Sequence, residues 1–251
     1  MDVVRRVGVL TLACFSLALG ATVAPAWAQD LAKPVGWGPL SSKEAARLVE
    51  RSDFEPRPSN GKENHTVPPR KWIRNVFRRK SETDDQPYTR FIDGRFKGTT
   101  DEIIQWAAYK WGFDPNLLRA VATHETYWDM NVVGNEGSAF GLFQVRRPWH
   151  CCLPYMRDST AFNADYYGAI LRAYYDGKQD WLNNPDVVVN RPPGILYEAG
   201  DIWGSVGAWV SGNWHLQANE DYVKVVQKWF DSHPWRNDQW FAEPWYEPHP
   251  E

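Results

Sequence analysis

The stretch that decides the fold is residues 114–126, which read DPNLLRAVATHET. Asp114 predicts a helix start because its carboxylate can accept a backbone N–H, and Pro115 suits the first helical position, where no N–H is needed. The helix then carries an apolar stripe at three-to-four-residue spacing, formed by Leu117, Leu118, Val121 and Ala122. Glu125 follows Val121 by four residues, so helical geometry places its carboxyl on the same core-facing stripe.

A carboxyl group on a core-facing stripe has two interpretations. Burial without a cation raises the pKa of Glu125, so the group stays protonated near neutrality and can give its proton to a leaving oxygen. The plainer interpretation is a carboxylate at a helix end that reaches water or pairs with a cation such as Arg146.

The surrounding sequence predicts a mainly α fold. Thr99 and Glu102 form a capping box before an apolar stripe that Gly112 ends. Further helices are predicted over 160–175 and 201–210, and a last one is capped by Asn219 and stopped at His233-Pro234. Between them, residues 131–147 are rich in Gly and polar side chains, which predicts a loop with a short β-hairpin.

Four segments in this order resemble the SLT-domain lytic transglycosylases, relatives of goose-type lysozymes. They are Glu125-Thr126, Ser138 to Gln144, Ala208 to Gly212, and Tyr222-Val223. Each motif alone is weak, but together they cover about residues 99–232. The resemblance implies a lysozyme-like helical domain with the hairpin beside its cleft.

The resemblance also implies an activity, the cleavage of the β-1,4 bond between N-acetylmuramic acid and N-acetylglucosamine in peptidoglycan. Glu125 would be the single acid/base, and the 2-acetamido group of the sugar would replace the second carboxylate of most glycosidases. The product would carry a 1,6-anhydro ring. Two alternatives stay open, a lysozyme or chitin-type hydrolase on the same fold, and an inactive cell-wall-binding module.

Several substrate-binding residues carry over from the resemblance. Gln144 matches a cleft-lining glutamine, and Phe143 the apolar residue beside it, where a sugar ring would lie. Gly141 would let the backbone approach the saccharide closely. Ser138 belongs to the same loop, where a plain hydrogen-bonding role is the alternative. Asn163 matches a helix residue with a structural role.

One departure from the family concerns the segment after residue 208. Trp209 stands where the family has a tyrosine near the catalytic Glu, and it is as well suited to the core as to the cleft. Val210 stands where the family has asparagine. If the family's tyrosine hydroxyl holds the acetamido group or the acid, indole cannot replace it. We then expect either that Trp203, Tyr127 or a nearby hydroxyl substitutes, or that the activity is altered.

The N-terminal sequence has the pattern of an export signal. Arg5 and Arg6 precede an apolar run over 7–23, and Ala26-Trp27-Ala28 forms a cleavage site. This predicts a signal peptide over 1–28 and a periplasmic or secreted protein. The weaker alternative is a lipoprotein acylated at Cys14.

The remainder divides into three predicted parts. Residues 29–98 form an irregular N-terminal extension with one short helix after Ser41, residues 99–234 form the lysozyme-like domain, and residues 235–251 form a Trp- and Pro-rich tail.

Charge and composition limit the classes of partner that the sequence predicts. The net charge is −3, and it becomes −4 once Arg5, Arg6 and Asp2 are removed, which gives no general case for nucleic-acid binding. Glycan strands are the expected partner. A basic segment predicts either a solvated face or contact with an anionic cell-wall or membrane surface. Its residues are Arg70, Lys71, Arg74, Arg78, Arg79 and Lys80.

The sequence calls for no metal and no organic cofactor. His124-Glu125 opens like a zinc-protease motif, but residue 128 is Trp128 rather than the second histidine. Cys151 and Cys152 are adjacent, so they cannot join distant segments. A free pair and a vicinal disulfide both stay open.

Overall fold

The protein is described here by a computed structural model, which covers residues 31–77, 87–188 and 193–242. It is mainly α, as predicted. The helices are α1 (Ser42–Ala46), α2 (Gly61–Asn64), α3 (Arg70–Phe77), α4 (Thr100–Trp111), α5 (Pro115–Thr126), α6 (Tyr155–Asp158), α7 (Thr160–Tyr175), α8 (Ile202–Ser211) and α9 (Gln217–Ser232). Short 3₁₀ turns cover Pro58–Asn60, Thr89–Phe91, Asn135–Gly137, Asp180–Asn183, Pro234–Arg236 and Asp238–Ala242.

The predicted caps set the ends of α4 and α5. Thr99 and Glu102 form the capping box of α4, and Gly112 ends the helix in the left-handed conformation. Asp114 accepts from the backbone N–H of Asn116 at 2.6 Å and opens α5. These local signals confirm the helix boundaries that the sequence predicts.

The middle of the core is α7, which packs against α4 on one side and α8 on the other. Nearly all of its side chains are buried. Helix α9 packs against both α5 and α8. Helix α9 therefore joins α5 to α8, and α8 in turn contacts α7.

A buried ion pair joins α4 to α7. The Lys110 ammonium lies 2.7 Å from the Asp165 carboxylate, and both side chains are almost fully buried. Asp165 also accepts from the Trp111 indole N–H and from the backbone N–H groups of Asp93 and Gly94. A buried charge needs such a full set of partners, so this cluster fixes the position of α7 and of the chain that enters α4.

The N-terminal extension is more regular than predicted. Three short helices, α1 to α3, replace the single expected one. Apolar side chains of the extension join the same hydrophobic cluster as the helical domain, including Ala45 of α1, Phe77 of α3, and Leu31 and Phe96 outside the helices. The extra helices in the extension depend on tertiary contacts, which local composition did not reveal. No boundary in the core separates residues 31–77 from the helices after residue 99.

The cap of α9 is a correction. Leu216 occupies the cap position, and Asn219 lies within the first turn. The Asn219 side chain is buried and bonds Asn213 O and the Ser211 hydroxyl instead. Asn219 therefore ties the start of α9 to the end of α8 and the loop after it, and it does not cap its own helix.

The start of the tail packs against the core. Trp235 and Phe241 are buried, and both rings approach Trp128.

The predicted signal peptide, with Cys14, lies outside the described residues, as do Arg78, Arg79, Lys80 and the end of the tail. Within the described ranges, none of the helices is long and apolar enough to span a bilayer.

The predicted hairpin is confirmed as a small antiparallel sheet. Its strands are β1 (Val133–Gly134), β2 (Ala139–Phe140) and β3 (Val145–Arg146), in the order β1-β2-β3. Val133 pairs with Phe140, and Ala139 pairs with Arg146. The sheet follows α5 directly and so stands beside its C-terminal end.

The buried ion pair gives a testable prediction for stability. Lys110→Met leaves the Asp165 carboxylate buried without its cation, so we expect the free energy of unfolding to fall by about 3–5 kcal/mol. Urea unfolding of the full chain measures this change. The control is Lys178→Met, which removes an exposed lysine and should change stability by about 0.5 kcal/mol at most. Equal effects from the two variants would contradict the assigned role.

Candidate active site

A cleft of about 760 Å³ opens where α5, the β-sheet, α7 and α8 meet. Its walls combine one carboxyl group with aromatic and amide side chains. The lining includes Glu125, Gln144, Arg146, His150, Trp181 and Trp209. The sequence placed three of these residues, Glu125, Gln144 and Trp209, at a common site, and the structure brings those three together.

Glu125 lies in the last turn of α5 and is partly exposed as a residue because one side of it opens to the cleft. The Tyr222 hydroxyl, from α9, donates a 2.5 Å hydrogen bond to Glu125 Oε1. No described group bonds Oε2, and no described cation forms an ion pair with the carboxyl, although Arg146 lines the same cleft. Among the described residues, the carboxyl group is thus hydrogen-bonded through Oε1 alone.

Burial raises the pKa of Glu125 from its ordinary value of 4.5 to about 7, and the hydrogen bond from Tyr222 offsets part of that rise. The surrounding protein atoms exclude water from the carboxyl group even though the residue borders the cleft. A carboxyl with a pKa near the operating pH can both give and take a proton efficiently. Burial also raises the pKa of Tyr222 well above its usual range, so this hydroxyl stays a neutral donor.

A second tyrosine hydroxyl lies near the acid. Tyr167, on α7, is fully buried, and its hydroxyl has no hydrogen-bond partner among the described residues. Burial raises its pKa well above the usual range, and the negative charge of Glu125 adds to the rise. Its ring stacks on Phe143 at 4.3 Å and meets the edge of Trp209 at 4.9 Å. The structure therefore brings two tyrosine hydroxyls near the acid, and that of Tyr222 is the one that bonds it.

Glu125 is the one carboxylate among the described residues that line the cleft. Asp129 accepts from the backbone N–H of Asn131 instead. Glu136 is exposed in the turn between β1 and β2. Neither residue adds a second carboxylate to the described lining of the cleft, so Glu125 is the one carboxyl group that this lining offers to a ligand.

The loop beside Glu125 is held in place by Asn163 of α7. The Asn163 amide donates to Phe140 O and Met156 O, and its oxygen accepts from the Phe143 backbone N–H at 2.9 Å. This agrees with the structural role that the resemblance implies. Thr126 donates from its hydroxyl to Leu142 O at 3.1 Å, which ties the end of α5 to the same loop.

Gln144 and Trp209 border the cleft but are also bound within the protein. The Gln144 amide donates to Val132 O and Gly141 O. The Trp209 indole donates to Phe143 O at 3.1 Å, and its ring stacks on His150 at 4.7 Å. Trp209 therefore packs against the core and also lines the cleft.

The other substrate-binding predictions need correction. Phe143 is fully buried in the core, so its side chain supports the cleft from behind. Gly141 is also buried, and its φ of +71° serves packing: an added Cβ would lie 2.6 Å from the Met130 methyl group. Ser138 donates to Asn135 O and does not line the cleft.

The two residues considered as substitutes for the missing tyrosine also lie elsewhere. Tyr127 packs near Trp229 and Trp240, and Trp203 packs on Phe230. Neither lines the cleft. Sequence position alone did not reveal the direction of these two side chains.

One wall of the cleft follows directly from β3. Trp149 is 69% exposed and borders the cleft together with His150. Cys151 and Cys152, which follow, are joined in a vicinal disulfide. The Cys151 backbone N–H donates to the Tyr166 hydroxyl, which fixes this wall to α7.

Sequence reasoning missed Tyr222 and Tyr167 as site residues. Tyr222 lies on the regular apolar stripe of α9, which indicates core packing, and the resemblance matched Tyr222-Val223 only to the last helix of the family. Tyr167 belongs to a helix that is buried on all sides, so no periodicity distinguishes it. Comparison of the chain with known protein families, curated proteins and solved structures finds no match.

Two glycines of the loop test how tightly it is packed. Gly141 and Gly137 both have positive φ, but an added Cβ is crowded at Gly141 and meets open space at Gly137. Gly141→Ala should therefore lower the free energy of unfolding by about 1–3 kcal/mol more than Gly137→Ala. Chemical denaturation of both variants measures the difference. Equal losses would show that Gly141 is needed for its φ alone.

Proposed function

We propose that this protein is an exported lytic transglycosylase that cuts the β-1,4 bond between N-acetylmuramic acid and N-acetylglucosamine in peptidoglycan. One observation carries the proposal: among the described residues that line the cleft, Glu125 alone has a carboxyl group, and its pKa lies at about 7. Hydrolases with two catalytic carboxylates need a second one across the bond. A substrate that supplies its own nucleophile removes that need.

In the first step Glu125 protonates the glycosidic oxygen as the bond to the anomeric carbon breaks. The carbonyl oxygen of the 2-acetamido group attacks that carbon and forms an oxazolinium ring. Tyr222 keeps Oε1 occupied, so the proton is carried by Oε2. The leaving chain departs with a new hydroxyl group, and Glu125 is left ionised.

In the second step the Glu125 carboxylate removes the proton of the C6 hydroxyl. The C6 oxygen attacks the anomeric carbon, the acetamido group is restored, and a 1,6-anhydro ring closes. The proton returns to Glu125, so the cycle consumes no water. A pKa of about 7 suits both steps, because the group must act as acid and then as base.

Aromatic side chains support a saccharide as the ligand. Trp149, Trp181 and Trp209 border the cleft around Glu125. Flat aromatic faces stack on the apolar faces of sugar rings, and tryptophan provides the largest such face. The signal-like N-terminus supports export, which would bring the protein to the cell wall.

Replacement of the acid tests the proposal most simply. Glu125→Gln should lower turnover of purified sacculi by about a hundredfold or more while glycan binding is kept, because the amide cannot transfer a proton. Muropeptide mass spectrometry gives the readout, and Glu136→Gln is the matched control on an exposed carboxylate. The expected products carry an anhydro end, lighter by one water than a reducing end.

Other product patterns would identify the alternatives. Reducing ends that depend on Glu125 would indicate a hydrolase that delivers water. Glycan binding without any products from the unaltered protein would indicate a wall-binding module.

The hydrogen bond from Tyr222 predicts a shift in pH dependence. Because the first step needs protonated Glu125, activity should fall as pH rises through about 7. The Tyr222 hydroxyl stabilises the ionised form, so Tyr222→Phe should raise the pKa of Glu125 and move this fall to higher pH. Rate profiles from pH 5 to 9, in about half-unit steps, measure the shift. Tyr175→Phe, whose ring packs on Phe113 and does not line the cleft, should leave the profile in place. An unmoved profile in Tyr222→Phe would contradict the assignment.

A further inference from the structure

A second cavity, of about 560 Å³, lies in the N-terminal part of the chain. It is bounded by α1, by α3 and by the segment around Asp93, and it shares no lining residue with the cleft at Glu125. Its apolar surface comes from Ala46, Pro68 and Ile73. We refer to this cavity as the basic groove.

Four cationic side chains border the basic groove, and they come from three separate segments of the chain. Lys43 lies on α1, Arg70 and Arg74 lie on α3, and Arg95 follows Asp93. All four residues are exposed, and none of them forms an ion pair within the described part of the protein. Their like charges repel one another across the groove.

Asp93 is the one carboxylate among the described residues that line the groove, and it can offset only one of the four positive charges. Asp93 Oδ1 already accepts from Ser42 Oγ at 2.5 Å and from the buried ammonium of Lys110 at 3.1 Å. Asp93 is therefore committed to the cluster that joins α4 and α7. The groove keeps an excess of positive charge in a protein whose net charge is −3.

We propose that the basic groove binds a linear anion that carries phosphate groups. Three of the four cations are arginines, whose planar guanidinium groups match phosphate oxygens in a two-point geometry. A narrow chain can enter a concave groove and meet cations on several sides, whereas a bilayer presents a flat surface. The apolar floor then contacts the backbone of the chain between phosphates. The proposal does not depend on the reaction at Glu125.

A short inorganic polyphosphate, labelled with a fluorophore, is the probe. Fluorescence anisotropy with the full chain should show binding that weakens as salt rises, because phosphate contacts release counterions. Arg70→Glu combined with Arg74→Glu should weaken binding by about tenfold or more and reduce the salt dependence. The matched control is Lys178→Glu with Arg236→Glu, which changes the net charge equally at exposed sites outside the groove. Glu125→Gln should bind as the unaltered chain does.

The outcomes separate the groove from a general charge effect. Loss in the groove variant with binding kept in the control supports the proposal, and Arg70→Gln with Arg74→Gln checks it without charge reversal. Circular dichroism confirms that each variant is folded. Equal losses in the two charge-reversed variants, or no binding to polyphosphate, would overturn the proposal. Sedimentation with anionic phospholipid vesicles but no binding to polyphosphate would also overturn it and indicate a membrane surface instead.

Discussion

The chemistry proposed for the cleft depends on the exclusion of water from one carboxyl group. Glu125 ends a helix whose apolar stripe is fully buried, so its carboxyl reaches the cleft from the core side. Loss of hydration raises its pKa, and the Tyr222 hydroxyl returns part of the lost stabilisation to the ionised form. The two effects together bring the pKa to about 7. A fully solvated Glu125 would be ionised at neutral pH and could not serve as an acid.

The rest of the fold keeps this carboxyl in place through α7. Asn163 fixes the loop that carries Phe143, while Asp165, two residues later, binds Lys110 of α4. One turn of α7 thus joins the cleft on one side to the N-terminal chain on the other. The basic groove depends on the same cluster, because Asp93 and Ser42 bond to Lys110 there. The two cavities are separate in space but share this support.

Local signals allowed much of the fold to be predicted. Asp114, Gly112 and the apolar stripes act within a few residues, so they fixed the ends of α4 and α5 correctly. Asn219 failed as a cap because its partners lie in another segment, and the order of the N-terminal extension likewise depends on distant contacts. At the site, helical spacing placed Glu125, but no spacing shows that Tyr222 and Tyr167 meet it from α9 and α7. The prediction that Phe143 contacts the sugar was wrong, because a loop lacks the regular spacing from which the direction of a side chain can be inferred.

The most direct test of the central claim is the titration of Glu125 itself. Carbon-13 NMR of the glutamate side-chain carboxyl, with Glu125→Gln to assign the signal, follows its ionisation across the pH range in the absence of any substrate. The account predicts a midpoint at about pH 7. A midpoint near 4.5, the ordinary value for a glutamate, would contradict it.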